Sequence, residues 1–155
     1  MKLLRRLMPA AQAVRSCYWR IAKPASLGVR AIITDGENVV LVRHSYTCGW
    51  YLPGGKVTRT ETVLDALWRE LDEELGLDPP QTPPQLLGLY ASTREAKRDH
   101  IAVYIVNGGA TGGALGMEVL DRQAFLLDDL PADLSPGTAR RLAEFNGIRP
   151  IGHTW

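Results

Sequence analysis

The sequence has little cysteine and lacks any long apolar run. Its two cysteines, Cys17 and Cys48, show no metal-ligand spacing and no partner pattern. This excludes a disulfide-built domain and fits buried or free thiols in a reducing compartment, so we expect a cytoplasmic protein. No apolar stretch approaches the roughly 18 residues that a membrane-spanning helix needs, so the sequence predicts no transmembrane helix.

Acidic residues are absent from the first 34 residues, although that stretch is rich in bases. Its seven bases are Lys2, Arg5, Arg6, Arg15, Arg20, Lys23 and Arg30. The rest of the chain holds all 17 acids against 11 of the 18 bases, so the net charge of +1 hides a basic leader on an acidic body.

Residues 1–24 are predicted to form a basic amphipathic helical segment, separate from a domain over residues 25–155. Arg5 and Arg6 interrupt its short apolar stretch, which excludes a secretory signal, although a transit peptide fits if the source is eukaryotic. The segment could dock on the domain's own core, form a homodimer contact, bind an anionic membrane surface, or bind RNA or substrate phosphates. We favour docking or a dimer, because amphipathic stripes usually pack against protein; no DNA binding is expected.

The remaining chain reads as one domain of alternating strand-like and helical runs. Five strands are predicted over residues 27–34, 39–44, 85–92, 100–106 and 117–127. One helix is predicted after the first two strands and a second over residues 136–146, with Ser135 as its N-cap and Gly147 after it. Strands that flank an internal helix indicate an α/β fold with a mixed sheet.

The internal helix has clear local start and stop signals. Thr62 can serve as N-cap with Asp65 as an imperfect capping-box partner, and Gly76 stands where a left-handed glycine ends a helix. The predicted apolar stripe comprises Leu64, Leu67, Trp68, Leu71 and Leu75.

Three carboxylates share one face of this helix. Glu70, Glu73 and Glu74 are spaced i, i+3, i+4, and the loop Pro53-Gly54-Gly55 precedes the helix. Such a cluster is often only a solvated acidic face, because like-charge neighbours cost about 0.2–0.5 kcal/mol per pair. Beside a glycine loop, however, it suggests a divalent-metal site for phosphate chemistry.

The whole stretch from Gly55 to Leu77 resembles the Nudix box, G-x5-E-x7-R-E-U-x-E-E-x-G-U, where U is a bulky aliphatic residue. The matching positions are Gly55, Glu61, Arg69, Glu70, Leu71, Glu73, Glu74, Gly76 and Leu77, without a gap or substitution. The resemblance implies an α/β/α sandwich around a mixed β-sheet. It also implies a hydrolase that cleaves a diphosphate linkage in a nucleoside diphosphate joined to another group.

The resemblance further implies a cofactor and a set of site residues. Mg²⁺, with Mn²⁺ possible, would be held by Glu70, Glu73 and Glu74 with help from a backbone carbonyl at Gly54 or Gly55. Glu70 is the first choice for the general base, and Glu118 is the distal candidate for a base or a further ligand. Arg69 is counted with the catalytic residues: it would orient the carboxylates, and a direct catalytic role for it and for Glu61 stays open. Glu61 and Gly76 are the expected structural supports of the site.

Substrate-binding residues are harder to identify from sequence. Arg43 is a candidate phosphate contact, Tyr51 a candidate for stacking a base, and Arg94 a candidate for steering an anionic substrate. Two alternative functions stay open at this point. One is a non-hydrolytic nucleotide-binding module of the same fold, and the other is an RNA 5′-end pyrophosphohydrolase that holds RNA through the basic leader.

Overall fold

The computed structural model describes residues 25–92, 99–108 and 116–155. The N-terminal segment 1–24 and the candidate residue Arg94 lie outside these ranges, as do residues 109–115, which precede Glu118 in the sequence. No helix within the described ranges has the length and apolar character needed to cross a bilayer.

The structure confirms the five predicted strands and both helices. In chain order these are β1 (Ser26–Thr34), β2 (Asn38–His44), α1 (Val63–Leu75), β3 (Gln85–Ser92), β4 (Asp99–Asn107), β5 (Val119–Leu126) and α2 (Pro136–Phe145). The strands form one sheet in the order β3-β4-β1-β2-β5. Only β1 and β4 run parallel, from Ser26↔Asp99 to Thr34↔Asn107, so the sheet is mixed as expected.

The two helices cover opposite faces of the sheet. Alternate residues of β1 point to opposite sides, and those on the first side, such as Val29 and Ile33, share a buried cluster with Leu71 of α1. Ile32 faces the other way and shares a second cluster with Leu142 of α2. This three-layer arrangement is the expected α/β/α sandwich.

A short segment, residues 50–57, lies between β1 and β2 where these strands diverge. Tyr51 exchanges two backbone hydrogen bonds with Val42 of β2, at 2.9 and 3.0 Å. On the β1 side, the Val29 amide donates to the Gly55 carbonyl at 2.9 Å, and the Val57 amide donates to the Leu27 carbonyl at 2.8 Å. The glycine loop is therefore held in place by the sheet itself, next to the middle of β1.

Helix α1 begins and ends where its local signals predict, but its buried face differs from the predicted stripe. Thr62 and Asp65 form a complete capping box, and Gly76 is left-handed with φ 59°. Leu64 is 40% exposed, so its place in the apolar stripe is wrong. The face that meets the sheet instead includes Ala66 and, at its edge, Glu74. Packing against the sheet therefore buries a different face of α1 from the predicted one. As a result, one of the three carboxylates, Glu74, lies toward the core.

Helix α2 also begins at its predicted cap, since the Ser135 hydroxyl accepts a hydrogen bond from the Thr138 amide at 3.2 Å. Its C-cap is Asn146, and Gly147 follows with φ 69°. Beyond it, the chain returns to edge strand β3, where Ala91 donates to the carbonyl of His153 and accepts from the amide of Trp155.

Candidate active site

A cleft of about 400 Å³ opens beside the glycine loop and the first half of β1. Four carboxylates line it: Glu70 and Glu74 from α1, Glu118 from just before β5, and Asp99 at the start of β4. Other polar or aromatic lining residues are Ser26, Arg30, Tyr46 and Lys56. The fold thus brings the distal candidate Glu118 together with two box carboxylates that precede it by more than forty positions.

Arg69 is the centre of a hydrogen-bond network at the edge of this cleft. Its Nε and Nη2 donate to the two carboxylate oxygens of Glu61, at 3.0 and 2.9 Å. Its Nη1 donates to Glu70 Oε1 at 3.0 Å and to Glu73 Oε2 at 3.2 Å, and its Nη2 also donates to the Lys56 carbonyl at 3.1 Å. These bonds hold the pKa of Glu61 at about 2 and raise that of Arg69. One guanidinium therefore joins two glutamates of α1, Glu70 and Glu73, to Glu61 and the loop that precedes the helix.

The three glutamates of α1 lie in very different environments. The side chain of Glu73 is 58% exposed, whereas those of Glu70 and Glu74 are 16% and 11% exposed. Burial raises the pKa of Glu74 to about 7, although the Gly54 amide donates to its Oε2 at 2.8 Å and opposes the shift. His44 Nε2 lies 3.7 Å from Glu74 Oε1, and burial lowers the pKa of this imidazole.

The two loop glycines are each required by a close approach. A Cβ at Gly54 would come within 2.4 Å of the Val29 carbonyl oxygen, and its φ of +123° is in the region that favours glycine. A Cβ at Gly55 would come within 2.2 Å of the Glu70 carboxylate. The absence of a side chain at Gly54 lets the loop pack against β1, and its absence at Gly55 leaves room for the Glu70 carboxylate.

Glu118 lies at the cleft close to Gly116, which packs against the C-terminal part of α1. A Cβ at Gly116 would lie 2.2 Å from the Glu73 carbonyl oxygen, so this contact needs glycine. On the other side, the carbonyl of Glu118 accepts a hydrogen bond from the Ser45 amide at 3.0 Å.

Arg43 and Tyr51 are not among the residues that line the cleft. Arg43 Nη2 pairs with Asp133 at 2.8 Å, and its guanidinium lies 4.7 Å from the centre of the Trp50 ring. The Tyr51 hydroxyl donates to the Cys48 carbonyl at 3.1 Å. Arg94 lies outside the described residues.

Two lining residues, Arg30 and Tyr46, have no place in the sequence predictions. Tyr46 is 66% exposed and stacks on His44, with ring centroids 5.2 Å apart and planes inclined by 18°. The sequence offers no signal for it. Arg30 did leave a signal, because a lone arginine inside an otherwise buried strand has to find a polar environment.

The donor chemistry of the cleft fits a hard divalent cation. Carboxylate and carbonyl oxygens are the ligands that Mg²⁺ and Mn²⁺ prefer. Gly55 O already accepts one hydrogen bond, from Val29, and a carbonyl has a second lone pair. Across residues 25–92, 99–108 and 116–155, no three acidic, histidine or cysteine side chains are grouped tightly enough to be a ready metal site. Glu70 and Glu73 are turned toward Arg69, and Glu74 toward Gly54.

Comparisons with known proteins bear on the family and the fold of this chain. The family model of the NUDIX domain matches residues 24–145. The ADP-ribose pyrophosphatase of Methanocaldococcus jannaschii is 30% identical, over 73% of this chain and 69% of that protein. A MutT NUDIX hydrolase from Burkholderia pseudomallei superposes with TM-score 0.68 at 26% identity, covering 77% of this chain and 96% of that one. The MutT protein from Methanosarcina mazei Go1 gives TM-score 0.66 at 25% identity, covering 83% and 98%.

Fold, box and comparisons together define a hydrolase of the α/β/α sandwich class. The chain belongs to the Nudix hydrolase family. It is therefore an enzyme of a pyrophosphohydrolase family that acts on nucleoside diphosphate derivatives and generally uses divalent metal ions.

Proposed function

We propose that this chain is a Mg²⁺-dependent pyrophosphohydrolase of a nucleoside diphosphate linked to a second group, with ADP-ribose as the first substrate to test. The observation that carries the proposal is the convergence of Glu70, Glu74 and Glu118 on one cleft beside the glycine loop. The choice of ADP-ribose is supported by the similarity to the M. jannaschii ADP-ribose pyrophosphatase. A cytoplasmic location is part of the proposal, supported by the exposed free thiol of Cys48.

The proposed metal ligands are Glu70, Glu73 and Glu74, with the carbonyl of Gly54 or Gly55. When bound, the cation would neutralise phosphate charge and lower the pKa of an attacking water. Arg69 is proposed to orient Glu70 and Glu73 through its observed hydrogen bonds, and Glu61 to fix Arg69 in turn. Gly76 is proposed to support the site as the left-handed C-cap that ends α1 directly after the three glutamates.

The reaction needs a base to accept a proton from water. Glu70 remains our first choice, because its carboxylate lines the cleft and is held by Arg69. Glu118 is the alternative, since it lines the same cleft from a separate element. Water would add to one phosphorus while the bridging P–O bond breaks, and ADP-ribose would give AMP and ribose 5-phosphate.

A substrate screen with product identification tests this proposal. The purified protein is incubated with Mg²⁺ or Mn²⁺ and with nucleoside triphosphates, ADP-ribose, dinucleoside polyphosphates and triphosphorylated RNA. We expect metal-dependent release of AMP from ADP-ribose. The same reaction in ¹⁸O-labelled water shows which phosphorus is attacked, because the label enters only the product formed from that phosphorus. Absence of hydrolysis of every diphosphate with either metal would overturn the proposal.

A further inference from the structure

Arg30 is placed at the cleft by the alternation of β1. It lies on the same side of the strand as Ile32, which α2 covers, but nearer the open end where the cleft begins. The backbone of Gly54 packs directly against the backbone of Arg30, since a Cβ on Gly54 would come within 3.0 Å of the Arg30 Cα. The position of this arginine is therefore set by the sheet and by the glycine loop.

The guanidinium of Arg30 is incompletely satisfied. Its Nη1 is buried, and no hydrogen-bond partner for it exists within the described part of the chain. A buried donor without a partner costs about 1–3 kcal/mol, and more when it belongs to a charged group. Burial also lowers the pKa of Arg30, while the nearby charges of Glu74 and Glu70 oppose that shift.

A counter-charge for Glu74 is the simplest structural role for Arg30, but the contacts do not fit that role well. Glu74 takes its hydrogen bond from the Gly54 amide, and Glu70 takes one from Arg69. Arg69, by comparison, donates to Glu61 through two nitrogens. Arg30 has no such arrangement within the described residues: it lines the cleft, and the two carboxylates whose charges act on it, Glu74 and Glu70, are hydrogen-bonded to other groups.

A planar guanidinium is well suited to bind phosphate oxygens, because its donors form a rigid fork. We propose that Arg30 is a substrate-binding residue whose guanidinium donates to a non-bridging oxygen of the substrate's diphosphate group. This inference rests on the proposed function, since it takes the diphosphate to lie between Arg30 and the carboxylates of Glu70 and Glu74. The ligand class is any molecule with a diphosphate group, whatever its nucleoside.

Equilibrium binding of imidodiphosphate tests the role of Arg30 independently of turnover. In this probe an NH group replaces the bridging oxygen of diphosphate, so it is resistant to hydrolysis. Its affinity is measured by calorimetry, with Mg²⁺ present, for the wild type, Arg30→Met, Arg30→Lys and Arg140→Met. Arg140 lies on α2 and is not a lining residue, so Arg140→Met is a matched loss of one arginine.

We expect Arg30→Met to bind imidodiphosphate roughly tenfold to a hundredfold more weakly than Arg140→Met, with Arg30→Lys in between. Thermal unfolding checks that each variant is folded. If Arg30→Met does not fold, the affinity of Arg30→Lys is compared with that of Arg140→Met instead. Equal affinity in the Arg30 and Arg140 variants would overturn the inference. A wild type that binds the probe through Arg30 but hydrolyses no diphosphate would refute the proposed function and leave this inference standing.

Discussion

Arg69 and Glu61 form a two-point ion pair across the junction between the glycine loop and α1. The Nε–Oε2 and Nη2–Oε1 distances are 3.0 and 2.9 Å, and the Thr58 amide donates a further hydrogen bond to Glu61 Oε1 at 2.7 Å. The remaining nitrogen of Arg69 bonds to Glu70 and Glu73. The pair therefore sets the direction in which two proposed metal ligands point.

Replacement of Arg69 by lysine keeps the positive charge but removes the fork. A single ammonium cannot bond to Glu61 at two points and still reach Glu70 and Glu73. We expect Arg69→Lys to lower kcat or Mg²⁺ affinity by roughly tenfold to a hundredfold. Steady-state rates across a Mg²⁺ titration measure both effects. Arg59→Lys, an exposed change in the same loop, is the control, and an unchanged rate in Arg69→Lys would refute the orienting role.

Gly55→Ala should damage the site without much damage to the fold. The new methyl would overlap the Glu70 carboxylate, which is the movable end of a side chain, so Glu70 is displaced. We expect an activity loss of roughly a hundredfold, as for a misplacement of about 1 Å, and a small change in unfolding free energy.

Gly36→Ala is the matched control for Gly55→Ala. Gly36 has φ +102° and no atom near the added Cβ, so alanine there should cost about 1 kcal/mol of stability and leave activity unchanged. Gly55→Ala should thus lose turnover with little change in urea unfolding, whereas Gly36→Ala should lose stability with no change in turnover. Full activity in Gly55→Ala would show that the Glu70 position does not matter.

Glu74 should make the metal-free protein less stable as pH rises. Its pKa is about 7 in the folded state against an ordinary 4.5, so the folded state binds the extra proton between these values. Stability is therefore greatest below about pH 4.5 for this group and falls until pH passes about 7, by on the order of 1–3 kcal/mol. Urea unfolding in EDTA at about pH 5 and about pH 8 measures this fall in the free energy of unfolding. The fall should be smaller in Glu74→Gln than in the control Glu37→Gln, by the part that Glu74 contributes. The same fall in both variants would contradict the buried, proton-binding state of Glu74.

A second buried polar cluster supports the fold and does not line the cleft. Glu144 accepts hydrogen bonds from Arg141 at 2.7 Å, Tyr90 at 2.9 Å and the Gly152 amide at 3.1 Å, and burial raises the pKa of Tyr90 to about 12. Glu144→Gln leaves Arg141 buried without its counter-charge, and we expect a loss of about 3–5 kcal/mol. Tyr90→Phe should cost only about 1 kcal/mol. Urea unfolding compares the two, and equal losses would contradict this ranking.

The local features of α1 were predictable because they depend on near neighbours. Thr62, Asp65 and Gly76 act within one turn of the helix ends, and the spacing of Glu70, Glu73 and Glu74 places them on one face. The exposure of Leu64 was not predictable in this way. Several residues can fit one apolar stripe, and only contact with the sheet decides which of them are buried.

The features that the sequence did not reveal depend on pairings between distant residues. Strand β1 joins β4 in parallel across more than seventy positions, and residues 50–57 enter the sheet between β1 and β2. In the sheet that these pairings form, Arg30 and Tyr46 line the same cleft as Glu70 and Glu74. Neither pairing can be predicted from hydrophobic periodicity, which describes one segment at a time.

The rate of ADP-ribose hydrolysis in carboxylate variants tests the central proposal most directly. AMP release is measured with Mg²⁺ for the wild type, Glu73→Gln, Glu74→Gln and the exposed control Glu37→Gln, and for the wild type in EDTA. We predict a loss of roughly a hundredfold or more in Glu73→Gln, Glu74→Gln and the chelated enzyme, with Glu37→Gln unchanged. Full activity in either box variant, or in EDTA, would contradict metal-dependent catalysis at this cleft.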